Sequence, residues 1–152
     1  MKLISACLLG VQCNWDGRAN INREVIRLVN ADIVIPVCPE QLGGLRTPRP
    51  PQEIQGGGGD DVLDGRGRVV NSDGEDVTRA FLRGAEETLK IATLLRVTEF
   101  IGKATSPSCG CGKIYDGSFS GIVIRGDGVT SALLKRHGIK VVAEDKLSSE
   151  GR

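Results

Sequence analysis

Histidine is nearly absent: His137 is the only one in 152 residues. A zinc site assembled from C-x₂₋₄-C pairs and histidines is therefore a weak fit. An excess of one charge is lacking too. Lys and Arg total 20 against 19 Asp and Glu, for a formal net charge of +1. That balance does not call for intact nucleic acid or an anionic membrane as partner. No stretch approaches the ~18 apolar residues of a membrane span. The segment "LISAC" superficially resembles a lipoprotein processing site. Only six residues precede Cys7, however, too few for a basic segment and a signal's apolar core. The expectation is a cytoplasmic protein. Aromatic residues are few, at 3%.

Glycine is plentiful, at 21 residues, which places many backbone positions in turns and close approaches. The charged fraction of 26% and the apolar fraction of 39% are ordinary for a globular chain. The length suits one domain over residues 1–152, compatible with a monomer. Five cysteines, an odd number in a chain read as cytosolic, argue against a disulfide framework and for reduced thiols with a chemical role.

Short β-branched runs recur along the chain: "KLISA" (2–6), "DIVIPV" (32–37), "VTEFIGKA" (97–104), "GIVIRG" (121–126) and "GIKVVA" (138–143). Helical patterns separate them. "NREVIRLVN" (22–30) carries paired apolar residues. In "DVTRAFLRGAEETLKIATLL" (76–95), Asp76 is suited to cap the start, and Phe81, Ala85, Leu89 and Ala92 share one face. "GVTSALLKRHG" (128–138) closes on Gly138, a C-cap candidate. Buried strands alternating with helices predict an α/β fold, a Rossmann-like α/β/α sandwich with a mostly parallel sheet. Residues 39–72 read as a long, irregular, lid-like insertion, in which Val62–Leu63 and Val69–Val70 are candidates to pair as a hairpin.

Cys7, Cys38 and Cys109 each follow one of these strands, immediately or within a few residues. Ligands of open α/β sheets bind outside the carboxyl ends of the strands. If those strands run parallel, the three sulfurs converge there. Soft thiolates select zinc, Cu(I) or an iron–sulfur cluster. A cubane cluster normally takes four thiolates, so three would leave one iron open. Buried thiols used as small core hydrophobes, and thiol redox or nucleophilic chemistry, are the alternatives. Cys13, in the polar turn "VQCNWDG", and Cys111 read as spectators, with Cys13 exposed. Glu40, two residues after Cys38, should face the same crevice, and Ser106 and Ser108 flank Pro107 just before Cys109. Asp16 and Asp116 sit in D-G turns, which is usually turn chemistry. Arg46 and Arg49 are candidates to bind a polar substrate group, although solvated loop arginines are commoner. The glycine-rich turn in "IRGDGVTSALL" lacks both the dinucleotide fingerprint and a phosphate loop's G-K-[ST], and reads as a tight turn.

"SACLLGVQCNWDG", "PVCPEQLGGLRTPRPPQEI", "GEDVTRAFLRGA", "SPSCGCGKIYDGSFSGI" and "GDGVTSALLKRHGI" resemble, in the same order, a bacterial domain-of-unknown-function family. That family is associated with iron–sulfur-dependent thiouracil desulfidases (TudS-like enzymes). The resemblance spans essentially the whole chain, with one departure: Asn14-Trp15 stands where the pattern has Arg-Tyr. It implies a [4Fe-4S] cluster on Cys7, Cys38 and Cys109, with the sulfur of a thiolated base such as 4-thiouracil on the fourth iron. It also implies proton transfer by Glu40 and Ser106, yielding uracil and sulfide. Asp16, Arg49 and Ser108 are the further candidates for substrate contact. The competing expectation is a non-catalytic module, structural or sensory, in which Cys13 or Cys111 completes a four-ligand metal or cluster site.

Overall fold

The structure is a computed structural model in which residues 1–147 are described; residues 148–152 of the expected domain lie outside the described residues. In chain order, β1 (Lys2–Ser5) runs into a 3-10 turn (Ala6–Leu9), then α1 (Arg23–Val29), β2 (Val34–Val37) and α2 (Pro39–Leu42). Next come β3 (Gln52–Gln55), α3 (Gly59–Leu63), β4 (Arg68–Asn71) and the long α4 (Thr78–Leu94). The chain continues through β5 (Glu99–Gly102), β6 (Lys113–Tyr115), β7 (Val123–Arg125), α5 (Val129–Arg136) and β8 (Lys140–Ala143), ending in a second 3-10 turn (Glu144–Lys146). No described helix is long and apolar enough to cross a membrane.

The central sheet has the order β2-β1-β5-β8, and every pairing in it is parallel. Its register explains why the strands are apolar on both faces. Leu3 lies opposite Ile35 and Phe100, and this row packs against Ala92 of α4 and Leu134 of α5. Ile4 lies opposite Ile101, and this row meets Val25 of α1 on the other face. Strand side chains alternate with a period of two, so both layers of helices are fed by the same short strands. The result is the α/β/α sandwich that the alternating pattern predicts.

Helix starts and stops follow local chemistry. Asn22 Oδ1 accepts from Val25 N and caps α1. Asp76 Oδ1 accepts from Thr78 N at the start of α4, whose Phe81, Ala85 and Ala92 are fully buried with Leu89 half-buried beside them. Gly138 sits at φ +78° just past α5, where a side chain would be strained.

Three expectations change. Residues 39–72 are not irregular: they contain α2, β3, α3 and β4. Val62 and Leu63 do not pair with Val69 and Val70. Asp61 accepts from Gly58 N and turns 59–63 into a helix, and β4 pairs instead with β3, placing Val70 opposite Glu53. The run "GIVIRG" does not join the parallel sheet either. Its strand, β7, is antiparallel to β6. The connection is a short turn in which Asp116 Oδ1 accepts from Ser118 N, and a parallel pairing would need a crossover of about a dozen residues.

Helix α2 is held against α4 by two glycines. A methyl group at Gly84 would collide with the Pro39 carbonyl oxygen, and one at Gly43 with the Ala80 carbonyl oxygen. Glycine to alanine inside a helix ordinarily stabilises by roughly 0.5–1 kcal/mol. Gly84→Ala should do the reverse, losing about 1–3 kcal/mol because α2 has to move. Urea unfolding of the two proteins reads the sign directly, and a stabilised variant would show that the approach is not close.

Candidate functional site

Because β1, β2 and β5 are parallel, their carboxyl ends lie side by side, and each delivers a thiol. Cys7 follows β1 within the 3-10 turn, which Gly10 closes at φ +104°. Cys38 is the residue between β2 and α2, where Pro39 begins the helix. Cys109 comes from the loop after β5. Ser106 Oγ accepts from Ser108 N (3.1 Å) and Cys109 N (3.0 Å), curling that loop, and Ser131 Oγ donates to the Cys109 carbonyl at 2.8 Å. Thr105, a non-glycine residue at φ +63°, supplies the reversal that leads into Ser106.

Cys7, Cys38 and Cys109 line one small cavity of about 40 Å³ together with Ser5, Glu40 and Ser106. Beside it opens a larger cavity of about 380 Å³, walled by Trp15, Asn20, Gln52, Tyr115 and others. Asn14, Glu40, Lys103 and Ser106 line both, so they form the partition between the thiols and the open cleft.

The three thiols have unlike environments. The Cys38 thiol is lowered to about 7, chiefly because the Cys13 thiol donates to it, with the Gln41 N–H adding to the effect. Cys7 is lowered for the same leading reason, a bond from Cys13. Burial pushes Cys109 up, partly relieved by the Ser5 hydroxyl. Ser5 Oγ in turn accepts from Lys103 N at 3.0 Å. Cys13 itself is raised, because Cys38 and Cys7 hold its proton.

Cys13 is therefore not the exposed spectator its polar turn suggested. It is 2% exposed and packs with Cys7 and Cys38, and its carbonyl accepts from Cys38 Sγ at 3.8 Å. Cys111 is half-buried elsewhere, bonded through Sγ to the Val141 carbonyl at 3.5 Å.

Glu40 is buried, and burial raises its carboxyl above the ordinary 4.5 despite Arg49. Arg49 Nε donates to Glu40 Oε1 at 3.0 Å, and among the described residues the other carboxylate oxygen has no partner. Ser106 Oγ, already accepting two amides, keeps its own O–H to donate. Asn20 Nδ2 is buried beside the Cys7 sulfur, whose thiolate form it favours, but makes no well-formed hydrogen bond to an acceptor among the described residues. A buried donor without an acceptor is costly, and a sulfur-rich group seated here would satisfy it.

Of the remaining candidates for substrate contact, Arg49 lines the small cavity, whereas Asp16 and Ser108 line neither cavity. Asp16 is exposed in its turn, where Oδ1 accepts from Arg18 N and Asn14 Nδ2. Ser108 is 1% exposed and shares a 2.9 Å bond with Thr130. Arg49 is 6% exposed, and its guanidinium is engaged by Glu40, the Arg46 and Cys13 carbonyls and Thr47 Oγ1. It holds the site together from behind. Reasoning from sequence missed Lys103, Asn20, Gln52 and the buried place of Cys13. Lys103 alone carried a signal, its position directly after β5.

Among the described residues no three His, Cys, Asp or Glu side chains converge tightly enough for a single metal ion. A polynuclear cluster takes each thiolate on a different iron, and thiols spread around a common cavity suit that better.

Three comparisons bear on the chain's relatives. An uncharacterized protein of Bacillus subtilis (strain 168), YbbK, is 45% identical over 148 residues, covering 97% of this chain and 98% of that protein. A solved structure of a [4Fe-4S]-dependent thiouracil desulfidase, TudS, superposes with a TM-score of 0.84 at 41% identity, covering 97% of this chain and 92% of that one. Residues 3–146 match the family model described as 2-thiouracil desulfurase. With nearly every described residue inside that match, the chain belongs to the 2-thiouracil desulfurase family.

Proposed function

We propose that this protein is a [4Fe-4S]-dependent desulfidase that replaces the sulfur of a thiolated uracil with oxygen. The observation that carries the reading is the shared partition: Glu40 and Ser106 border both the cavity of Cys7, Cys38 and Cys109 and the open cleft beside it. Cys7, Cys38 and Cys109 are the cluster ligands. Held by three thiolates, the cluster supplies one iron free of protein ligands, a Lewis acid for the substrate's sulfur.

The residues then have definite tasks. The cleft of about 380 Å³ suits a single pyrimidine ring. The unpartnered oxygen of Glu40 takes a proton from the water that attacks the ring carbon, and Ser106 O–H donates to the departing side. A thione and a water give a carbonyl and hydrogen sulfide, so 4-thiouracil yields uracil. Arg49 keeps Glu40 oriented, and burial raises the carboxyl's affinity for protons above that of an ordinary carboxylate, which makes it a better proton acceptor. The near-balanced charge fits a small neutral substrate better than intact nucleic acid.

One observation favours a second reading. Cys13 is close enough to Cys7 and Cys38 to act as a fourth thiolate, which would close the cluster and make the protein a non-catalytic sensor or structural module. Serine substitutions separate the two. After anaerobic reconstitution the wild type should hold about four irons and four sulfides per chain. Cys7→Ser, Cys38→Ser and Cys109→Ser should each lose the cluster, whereas Cys13→Ser and Cys111→Ser should retain it and still release sulfide. If Cys13→Ser empties the site, the four-thiolate module is correct.

Glu40 gives a second test. As a base it must be ionised, and its proton affinity is raised, so kcat/KM should rise with pH along an acid limb lying above pH 4.5. Glu40→Gln should keep the brown cluster but lose about 10²–10⁴-fold in kcat and abolish that limb. An unchanged limb in Glu40→Gln would assign the base elsewhere.

A further inference from the structure

Gln52 lines the larger cavity and not the thiol cavity, and the proposed reaction gives it no task. Gln52, the first residue of β3, is 7% exposed and lines this cavity, and its side-chain amide bonds to no described residue. Its neighbours are occupied. Glu53 Oε1 accepts from Gly117 N (3.0 Å) and Phe119 N (3.2 Å). Asn71, across the ladder from Gln52, accepts from Asp73 N and Glu75 N through its own amide oxygen. The residue is mostly buried, but its amide is not among the buried unpaired groups: it opens into the cavity and stands free to bond a ligand there. The cavity also offers no free cation among the described residues lining it, since Lys103 is ion-paired with Glu144 at 3.3 Å. Such a wall is made for a neutral ligand with polar edges.

We infer that Gln52 is the specificity-determining residue that reads the imide edge of the thiolated base: Oε1 accepts the ring N3–H, and Nε2 donates to the carbonyl beside it. This deepens the desulfidase reading and rests on it. The amide of glutamine presents a donor and an acceptor side by side, complementary to N3–H next to C=O. In 4-thiouracil the thiocarbonyl lies on the other side of N3. A ring held by Gln52 therefore turns its sulfur toward the partition of Glu40 and Ser106. The order thiocarbonyl, N3–H, carbonyl is the same in 2-thiouracil when the ring is turned over. One glutamine thus serves both isomers. Asn20 Nδ2, the buried donor beside Cys7, lines the same cavity at its thiol end. The two amides bracket the ring, one at the imide edge and one at the sulfur.

The test compares 4-thiouracil with its N3-methyl derivative, in which the proton that Gln52 accepts is missing. For the wild-type holoenzyme, kcat/KM should be lower for the methylated compound by about tenfold to hundredfold, most of it in KM. Gln52→Met and Gln52→Leu should lower kcat/KM for 4-thiouracil to the level of the methylated compound and leave the latter unchanged, with iron content as in the wild type. Equal losses on both substrates, or a preference that survives in Gln52→Met, would overturn the assignment. A variant-free measurement covers poor folding of the substituted proteins. Uracil should bind the wild-type holoprotein at least tenfold tighter than N3-methyluracil by calorimetry, and equal affinities overturn the inference. Failure of the desulfidase reading looks different: the wild type would release no sulfide from either thiolated compound, while the calorimetric comparison would still judge Gln52.

Discussion

The site depends on one buried guanidinium. Arg49 joins Glu40 on α2, the Cys13 carbonyl in the loop after β1, and the Arg46 carbonyl and Thr47 hydroxyl of its own segment. A charge taken out of water costs several kcal/mol unless its partners are well placed. Here the partners are Arg46 and Thr47 beside Arg49, Glu40 nine residues back on α2 and Cys13 thirty-six residues back, so the ion pair is satisfied only when all three stretches are in register. Arg49 thereby couples the placing of a carboxylate to the placing of Cys13 against Cys7 and Cys38. Arginine suits the task because its planar fork reaches several acceptors at once, which a lysine ammonium does not do in one plane.

The parallel sheet does the rest. Three strand ends bring Cys7, Cys38 and Cys109 together without any local motif joining them, and the environments differ at each end. Cys38 takes a bond from Cys13 that lowers its thiol, while burial pushes the Cys109 thiol up. Opposed shifts of neighbouring thiols in one cavity are a mark of a candidate functional site. They are also what a metal centre removes at a stroke, because coordination deprotonates each thiol whatever its resting state.

The fold was largely legible in the sequence because buried parallel strands are continuous apolar runs, and four of the five such runs entered the central sheet. The fifth, 121–126, has the same composition but follows β6 too closely for a crossover, and connection length decided its partner. The cysteines after β1, β2 and β5 could be placed for the same reason: position after a strand is a topological statement. Cys13 could not. Its turn is polar, and only the fold of the loop over Arg49 reveals that the thiol points inward. Arg49 itself looked like a solvated loop arginine, since burial of a charge is decided by partners nine and thirty-six residues away. Gln52 carried no signal at all, being an ordinary polar residue at the start of an unforeseen strand.

That last failure has a physical pattern. Residues proposed to do chemistry sit at the ends of sheet strands, where topology dictates position and few conformations are open. Residues that line the cleft opposite them, Trp15, Gln52 and Tyr115, come from loops and from the small antiparallel pairs outside the central sheet. The insertion between α2 and α4 brings Arg49 and Gln52 to the cleft in one stroke, the first turned in to brace Glu40 and the second facing the cavity. Arg49 lies before β3, and within that strand alternate residues face opposite ways. Gln52 and Ile54 lie on the buried side, and Ile54 anchors the pair on Phe81 and Ala85 of α4. A change of substrate would therefore be sought in this insertion, where Gln52 can be replaced without disturbing the strands that hold the thiols.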